Sequence, residues 1–253
     1  MDSIVSPILV VVGIRQEAEA FADQLANRTQ ITIQGLSCSR GNIRGYPCVL
    51  AEMGMGKVNA AMTTTLLLTA LQPRLIICAG GGGGLNPMLR WGDTIIVDKA
   101  IHHDYGAIRP DGMTRWPTVN PMNRQEHPLY LSTDADVTAL AIQTARGIVL
   151  PTIQTRLGER IPQIMSGTLA SGDVFVSDPQ MRKNLWQSLQ ADLIDMEGAT
   201  VVQVAQQLGF AIVIIRSISD IDENVDLDWE AYFGVAARNA ATVVAELIAD
   251  IDR

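Results

Sequence analysis

The chain has 253 residues, 47% of them hydrophobic, and a formal net charge of −8. That is enough apolar material for one large core, which we expect to form a single domain over residues 1–253. The acidic balance and the lack of any Lys/Arg cluster argue against a nucleic-acid partner, and no apolar run is long enough to span a bilayer.

In chain order, Pro7 to Gly13 reads as a buried strand, followed by a helix from Gln16 to Leu25 with Ala18, Phe21, Ala22 and Leu25 on one face. The start, MDSIVSPILVVVGI, has no positive n-region and does not read as a signal peptide. Ile31–Leu36, Ile43–Tyr46 and Cys48–Ala51 read as a hairpin arm around Ser39, Arg40 and Gly41. Met53 to Lys57 is a turn opening the helix Val58–Leu71, and Leu75–Ala79 is a second buried strand. The strand–helix–strand spacing predicts a parallel pair, with Gly80 to Gly84 as a glycine loop at the strand exit.

Thr94–Val97 is a further strand, and Ile101–Tyr130, rich in proline, is the least regular stretch. Helices are expected at Val137–Ile148, Asp178–Leu189 and Trp229–Ile251. Between the last two lies LIDMEGATVVQVAQQLGFAIVIIRSISD, Leu193 to Asp220. It reads as a short strand ending in acids, a helix stopped by Gly209, and a buried strand ending in another acid. In an open α/β sheet the carboxyl ends of strands face the ligand crevice, so Glu197 and Asp220 are expected at one site.

Each candidate group has a plain reading beside its chemical one. Gly80 and Gly81 allow close backbone approach to a ligand, or form only a tight strand exit. Glu197 is a carboxylate able to accept from two sugar hydroxyls, or a helix N-terminal acid, the part that Asp195 also fits. Asp220 is a buried proton donor or a turn residue, and Glu17 a water-orienting base or a solvated helix-start acid. His102, His103 and Asp104 lie on an extended segment with alternating directions, so no metal is expected. Cys38, Cys48 and Cys78 lack metal-ligand spacing and read as reduced core thiols, which points to the cytoplasm. No Walker loop, GxGxxG after the first strand, or GxSxG is present.

Taken together, VVGIRQEAEAF, GMGKVNAA, ICAGGGGGL, GDTIIVDKAIHHD, SGDVF, DMEGA and RSISD, in that order along nearly the whole chain, resemble the nucleoside phosphorylase/nucleosidase superfamily. The resemblance is strongest to its 5′-methylthioadenosine/S-adenosylhomocysteine nucleosidase branch. It implies a three-layer α/β/α domain with a mixed, twisted central sheet, no cofactor, and a homo-oligomer, with a dimer favoured. It also implies hydrolysis of the N-glycosidic bond of a purine nucleoside, with an adenine compound of the methylthioadenosine type as the expected substrate.

By the same resemblance Asp220 protonates N7 of the base, with Ser219 beside it. Glu197 holds the ribose, Phe175 stacks on the base, and Val176 offers backbone contacts. Met196 and Met55 lie under the sugar, and Trp229 closes the pocket.

Two departures matter. Counting from Gly13, the family's water-activating Glu falls on Ala18. Helix phase selects Glu17, whose apolar followers Ala18, Phe21 and Leu25 fit, over Glu19, which places Asp23 at a core position. Gly81 and Gly82 stand where nucleosidases carry Ser and Ala. A phosphate-dependent phosphorylase is the alternative, disfavoured because Ile77 and Cys78 occupy the region of its arginine and only Arg15 could stand in. A non-catalytic nucleoside-binding protein is a second alternative.

Overall fold

The computed structural model describes residues 6–155, 158–221 and 229–251, the side chains of 229–231 excepted. The chain opens with β1 (Ile8–Val12) and α1 (Arg15–Ala22), followed by β2 (Ala26–Ile33), β3 (Leu36–Ile43), β4 (Tyr46–Glu52), α2 (Lys57–Leu71) and β5 (Leu75–Gly84). Next come β6 (Thr94–His102), the hairpin β7 (Gly106–Arg109) and β8 (Gly112–Arg115), β9 (Leu131–Ser132), α3 (Ala135–Ala145), and the hairpin β10 (Ile153–Thr155) and β11 (Gly158–Arg160). The last third holds β12 (Ile164–Ser171), α4 (Pro179–Leu189), β13 (Leu193–Asp195), α5 (Gly198–Leu208), β14 (Ile212–Asp220) and α6 (Trp229–Asp250). Among the described residues no helix is long and apolar enough to cross a membrane.

The period-2 pattern of β1 builds the layers. Leu9 and Val11 pack with Leu67 and Leu68 of α2 and Val201 and Val202 of α5, while Ile8, Val10 and Val12 pack with Phe21 of α1, Ala141 of α3 and Val244 of α6. Both faces of the strand are therefore buried, as its unbroken apolar run requires.

The main sheet has ten strands in the order β13-β12-β6-β14-β5-β1-β4-β3-β2, with β9 on β6. β13 also pairs with β5, so five strands close into a ring. β4 and β5 do not pair with each other as the spacing predicts; each lies parallel to β1 between them.

Three further expectations change. The arm is a meander whose turns fall at Gln34-Gly35 and Arg44-Gly45, all four with φ between 50° and 90°. These are two-residue turns matched to strand twist, so Ser39 to Gly41 sit within β3. The glycines Gly80 to Gly84 are not a loop but the second half of β5, paired with β14 and β13. Finally, β13 runs antiparallel to β5 while β14 runs parallel to it. Glu197 and Asp220 therefore converge from oppositely directed strands, because ring closure rather than an open parallel sheet brings them together.

Candidate active site

The pocket is lined by Gly13, Glu17, Met55, Gly81 to Gly83, Val174 to Val176, Arg182, Ile194 to Glu197, Arg216, Ser219, Asp220 and Phe233. Of the expected residues, Glu17, Glu197, Asp220, Phe175, Val176, Met196, Met55, Gly81 and Ser219 all border this one cavity. Gly80 does not. Its φ is +147°, and a Cβ there would overlap the Glu17 carboxylate and crowd Arg216. It makes room for the acids rather than for a ligand. Trp229 opens α6, but its side chain lies outside the described residues.

Glu17 sits in the first turn of α1, buried, and its carboxylate is enclosed by backbone donors. Gly13 N and Ile14 N donate to Oε2 at 2.7 and 2.9 Å, and Gly81 N donates to Oε1 at 2.7 Å. Glu19, two residues on and so on the opposite side of α1, instead meets Arg15 at the surface at 3.0 Å, so Arg15 does not face the pocket. Glu197 precedes α5, and its Oε1 accepts from Gly56 N at 2.9 Å. That N–H is aimed by the turn ahead of α2, where Gly54 and Gly56 have φ of 82° and 91°. A Cβ on Gly13 would lie 3.3 Å from Glu17 Oε2 and 3.4 Å from Glu197 Oε2, so both carboxylates face this glycine.

Beneath them lies Arg216, on β14 and 1% exposed, which neither composition nor motif reading assigns a role. Its Nη2 is 2.7 Å from Asp195 Oδ2 and 3.5 Å from Glu197 Oε2, and its Nη1 is 3.6 Å from Glu17 Oε1. Asp195 also accepts from Ser171 Oγ at 2.5 Å and from Gly198 N at the start of α5, so it anchors the helix and the arginine together. The signal for Arg216 was present: a charged residue inside the strand IVIIRSISD is buried only with partners.

Burial pushes the Glu17 carboxyl up from its ordinary range, against the pull of Arg216 and the backbone donors. Glu197 is raised to about 7, by burial first and by the neighbouring Asp195 charge second, with Arg216 and Gly56 N opposing. Burial disfavours the charged Arg216, but the surrounding Asp195, Glu17 and Glu197 outweigh it and push its pKa upward.

At the other end of the cavity Asp220 closes β14. Ser219 Oγ donates to Oδ1 at 2.8 Å, and Arg182 Nη2 donates to Oδ2. Arg182 gave no sequence signal, because α4 carries Arg182 and Lys183 side by side as a solvated helix would. Phe175 is 54% exposed at the mouth, with Val174 beside it, and Val176 is buried below. Phe233 of α6, also unforeseen, explains one departure: a Cβ at Gly81 would lie 2.7 Å from its ring, so the aromatic fills the space a side chain would occupy. His102 and His103 are buried away from this cavity, where desolvation lowers both pKa values.

Comparison with known proteins bears on this geometry. Residues 7–249 match the family model described as the phosphorylase superfamily. The chain is 31% identical to the 5′-methylthioadenosine/S-adenosylhomocysteine nucleosidase of Geobacillus thermodenitrificans, covering 94% of each chain. It is 29% identical to that of Tolumonas auensis over 94% of this chain and 97% of the other. Among solved structures, the nucleosidase of that name from Neisseria meningitidis, in complex with methylthio-immucillin-A, superposes with a TM-score of 0.80 at 26% identity. That match covers 98% of this chain and 100% of the other. Futalosine hydrolase of Helicobacter pylori shares the fold, with a TM-score of 0.79 at 22% identity over 97% and 98%.

Proposed function

The chain belongs to the phosphorylase superfamily, and from that premise we propose that it is a nucleosidase that hydrolyses the N-glycosidic bond of a purine nucleoside of the 5′-methylthioadenosine/S-adenosylhomocysteine class. In this reading Glu17 takes a proton from water as the water oxygen bonds to the anomeric carbon. The C–N bond breaks and its electron pair returns to the base, made a neutral leaving group by a proton shared between Asp220 and N7. Glu197 accepts from the ribose hydroxyls and faces the positive charge that develops on the sugar. Phe175 stacks on the base; Val176, Met196, Met55, Gly81 and Ser219 shape its surroundings, and Trp229 is a closing aromatic. A base with a raised pKa is suited to proton transfer near neutral pH.

One observation favours water over phosphate. The donors that would cradle a phosphate, Gly13 N, Ile14 N, Gly81 N and Arg216, all converge on the Glu17 carboxylate. An anion nest already holding a carboxylate has no place for a phosphate dianion. The test is base release from purine nucleosides in phosphate-free buffer and with added phosphate: equal rates with free ribosyl product support hydrolysis, whereas strict phosphate dependence would overturn it.

The enzyme acts as one continuous domain in the cytoplasm, consistent with the buried, unpaired thiols of Cys38, Cys48 and Cys78. It pairs as a homodimer through an apolar rim. Exposed Met55, Val58 and Met62 on and before α2 adjoin exposed Val174 and Phe175 at the pocket mouth. A monomer in sedimentation at working concentration would count against the dimer.

A further inference from the structure

Asp104, which follows His102 and His103 at the exit of β6, has no part in the hydrolytic scheme, yet it ties together two segments at the pocket mouth. Its Oδ1 accepts from Lys57 Nζ at 2.6 Å, and its Oδ2 accepts from Asp173 N at 2.8 Å. Lys57 is the first residue of α2, and Asp173 lies just after β12, two residues before Phe175. Burial alone would raise the Asp104 carboxyl, but Lys57 and the Asp173 N–H outweigh it and hold its pKa below the ordinary range.

Asp173 returns the contact: Lys57 N donates to its Oδ1 at 2.7 Å. α2 is preceded by Gly56, which has no side chain to satisfy the first amides, so a carboxylate from a distant loop caps the helix instead. The fit is close, since a Cβ on Gly56 would lie 3.0 Å from Asp173 Oδ1. The preceding amide, Gly56 N, donates to Glu197 Oε1 at 2.9 Å. Two adjacent N–H groups at one helix end thus hold two acids, Asp173 beside the mouth and Glu197 inside the pocket.

We propose that Asp173 is a positioning residue: by capping α2 from another segment it fixes the Phe175 loop at the base and aims Gly56 N at Glu197, so that one contact governs both base binding and the sugar-binding carboxylate. The proposal rests on the nucleosidase reading, and Asp104 is the brace between the two segments. Burial raises Glu197 to about 7, aided by Asp195 and Glu17, while Arg216 and Gly56 N pull it back. Of these groups, Gly56 N is the one that Asp173 positions. Without its hydrogen bond Glu197 would ionise at higher pH.

Asp173→Ala removes the cap, whereas Asp173→Asn keeps an oxygen for Lys57 N and serves as the conservative rescue. The test follows base release from 5′-methylthioadenosine by the full chain across the pH range, with the urea midpoint of each variant checked alongside. In Asp173→Ala, KM should rise about fivefold and the acid limb of kcat/KM should move to higher pH by about 0.5, with kcat above neutrality within about twofold of wild type. Asp173→Asn should restore both. A merely structural role would lower kcat with the folded fraction and leave the limb in place. An unmoved limb in folded Asp173→Ala, or equal losses in Asp173→Asn, would overturn the proposal. A second arm needs no turnover: at equal concentration, adenine should raise the Tm of Asp173→Ala less than that of the wild type or Asp173→Asn. Equal Tm shifts in all three would overturn the positioning role. If the wild type releases no base while the expected order of Tm shifts holds, the hydrolytic reading fails and the positioning role stands.

Discussion

Each end of the pocket is organised by one buried arginine, but the two arginines have different company. Arg216, at the sugar end, faces Glu17, Asp195 and Glu197, three carboxylates around one cation. Arg182, at the base end, faces Asp220 and backbone carbonyls. In the proposed reaction this excess of acid lies where a proton is taken up and a cationic sugar stabilised, and the Glu17 and Glu197 carboxyls are shifted upward. The base end is a hydrogen-bonding template, where direction of donors matters more than net charge. One fold thus places an electrostatic device and a recognition device within one cavity.

The contrast can be broken most severely at Glu17. Glu17→Gln keeps the shape and the Gly81 N–H contact to one oxygen but removes the base, and kcat should fall by about 10²–10⁴-fold with a smaller change in KM. Steady-state base release checks this, and near-normal kcat would remove Glu17 from the mechanism. Arg216→Met leaves three buried acids without their cation, which should lower unfolding stability by about 3–5 kcal/mol, read as a shifted urea midpoint.

The pH profile sharpens the same contrast. Glu197 is raised to about 7, so it is protonated below that value and ionised above it. On the proposed role, in which Glu197 accepts from the sugar hydroxyls as a carboxylate, kcat/KM should decline by about tenfold per pH unit below neutrality. In Glu197→Gln the residual activity should lose this acid limb; an unchanged limb would assign it elsewhere. The smallest effect is expected at the exposed mouth, where Phe175→Ala should raise KM roughly fivefold, about 1 kcal/mol of stacking, with kcat altered less. An unchanged KM would remove Phe175 from the base contacts.

What was legible in the sequence was whatever local periodicity carries. The buried run of β1, the acids at the ends of β13 and β14, and the choice of Glu17 over Glu19 from the helix phase of Phe21 all follow from spacing along one element. What was not legible depends on elements distant in sequence. The direction of β13 is set by ring closure with β5, more than a hundred residues away. Arg182 has a surface-like neighbourhood on its own helix and is buried only because Gly84 and Asp220 come to meet it. The turns Gln34-Gly35 and Arg44-Gly45 lack the Asn-Gly or Asp-Gly signature by which such turns are usually found.

The closed ring has a further consequence for how this enzyme loses its activity. β5, β14, β6, β12 and β13 pair around a full circuit, whereas β2 is a sheet edge at the far side and is largely solvent-exposed. Strand edges fray and rings do not, so amide hydrogens of β2 should exchange through small local openings, and those of β5 and β14 only when the whole domain opens. Gly81 to Gly83, Ile194, Asp195, Arg216, Ser219 and Asp220 of the pocket are strung on the ring. On heating, catalysis should therefore vanish in step with global unfolding, while the β2–β3 meander loosens first without dimming the rate.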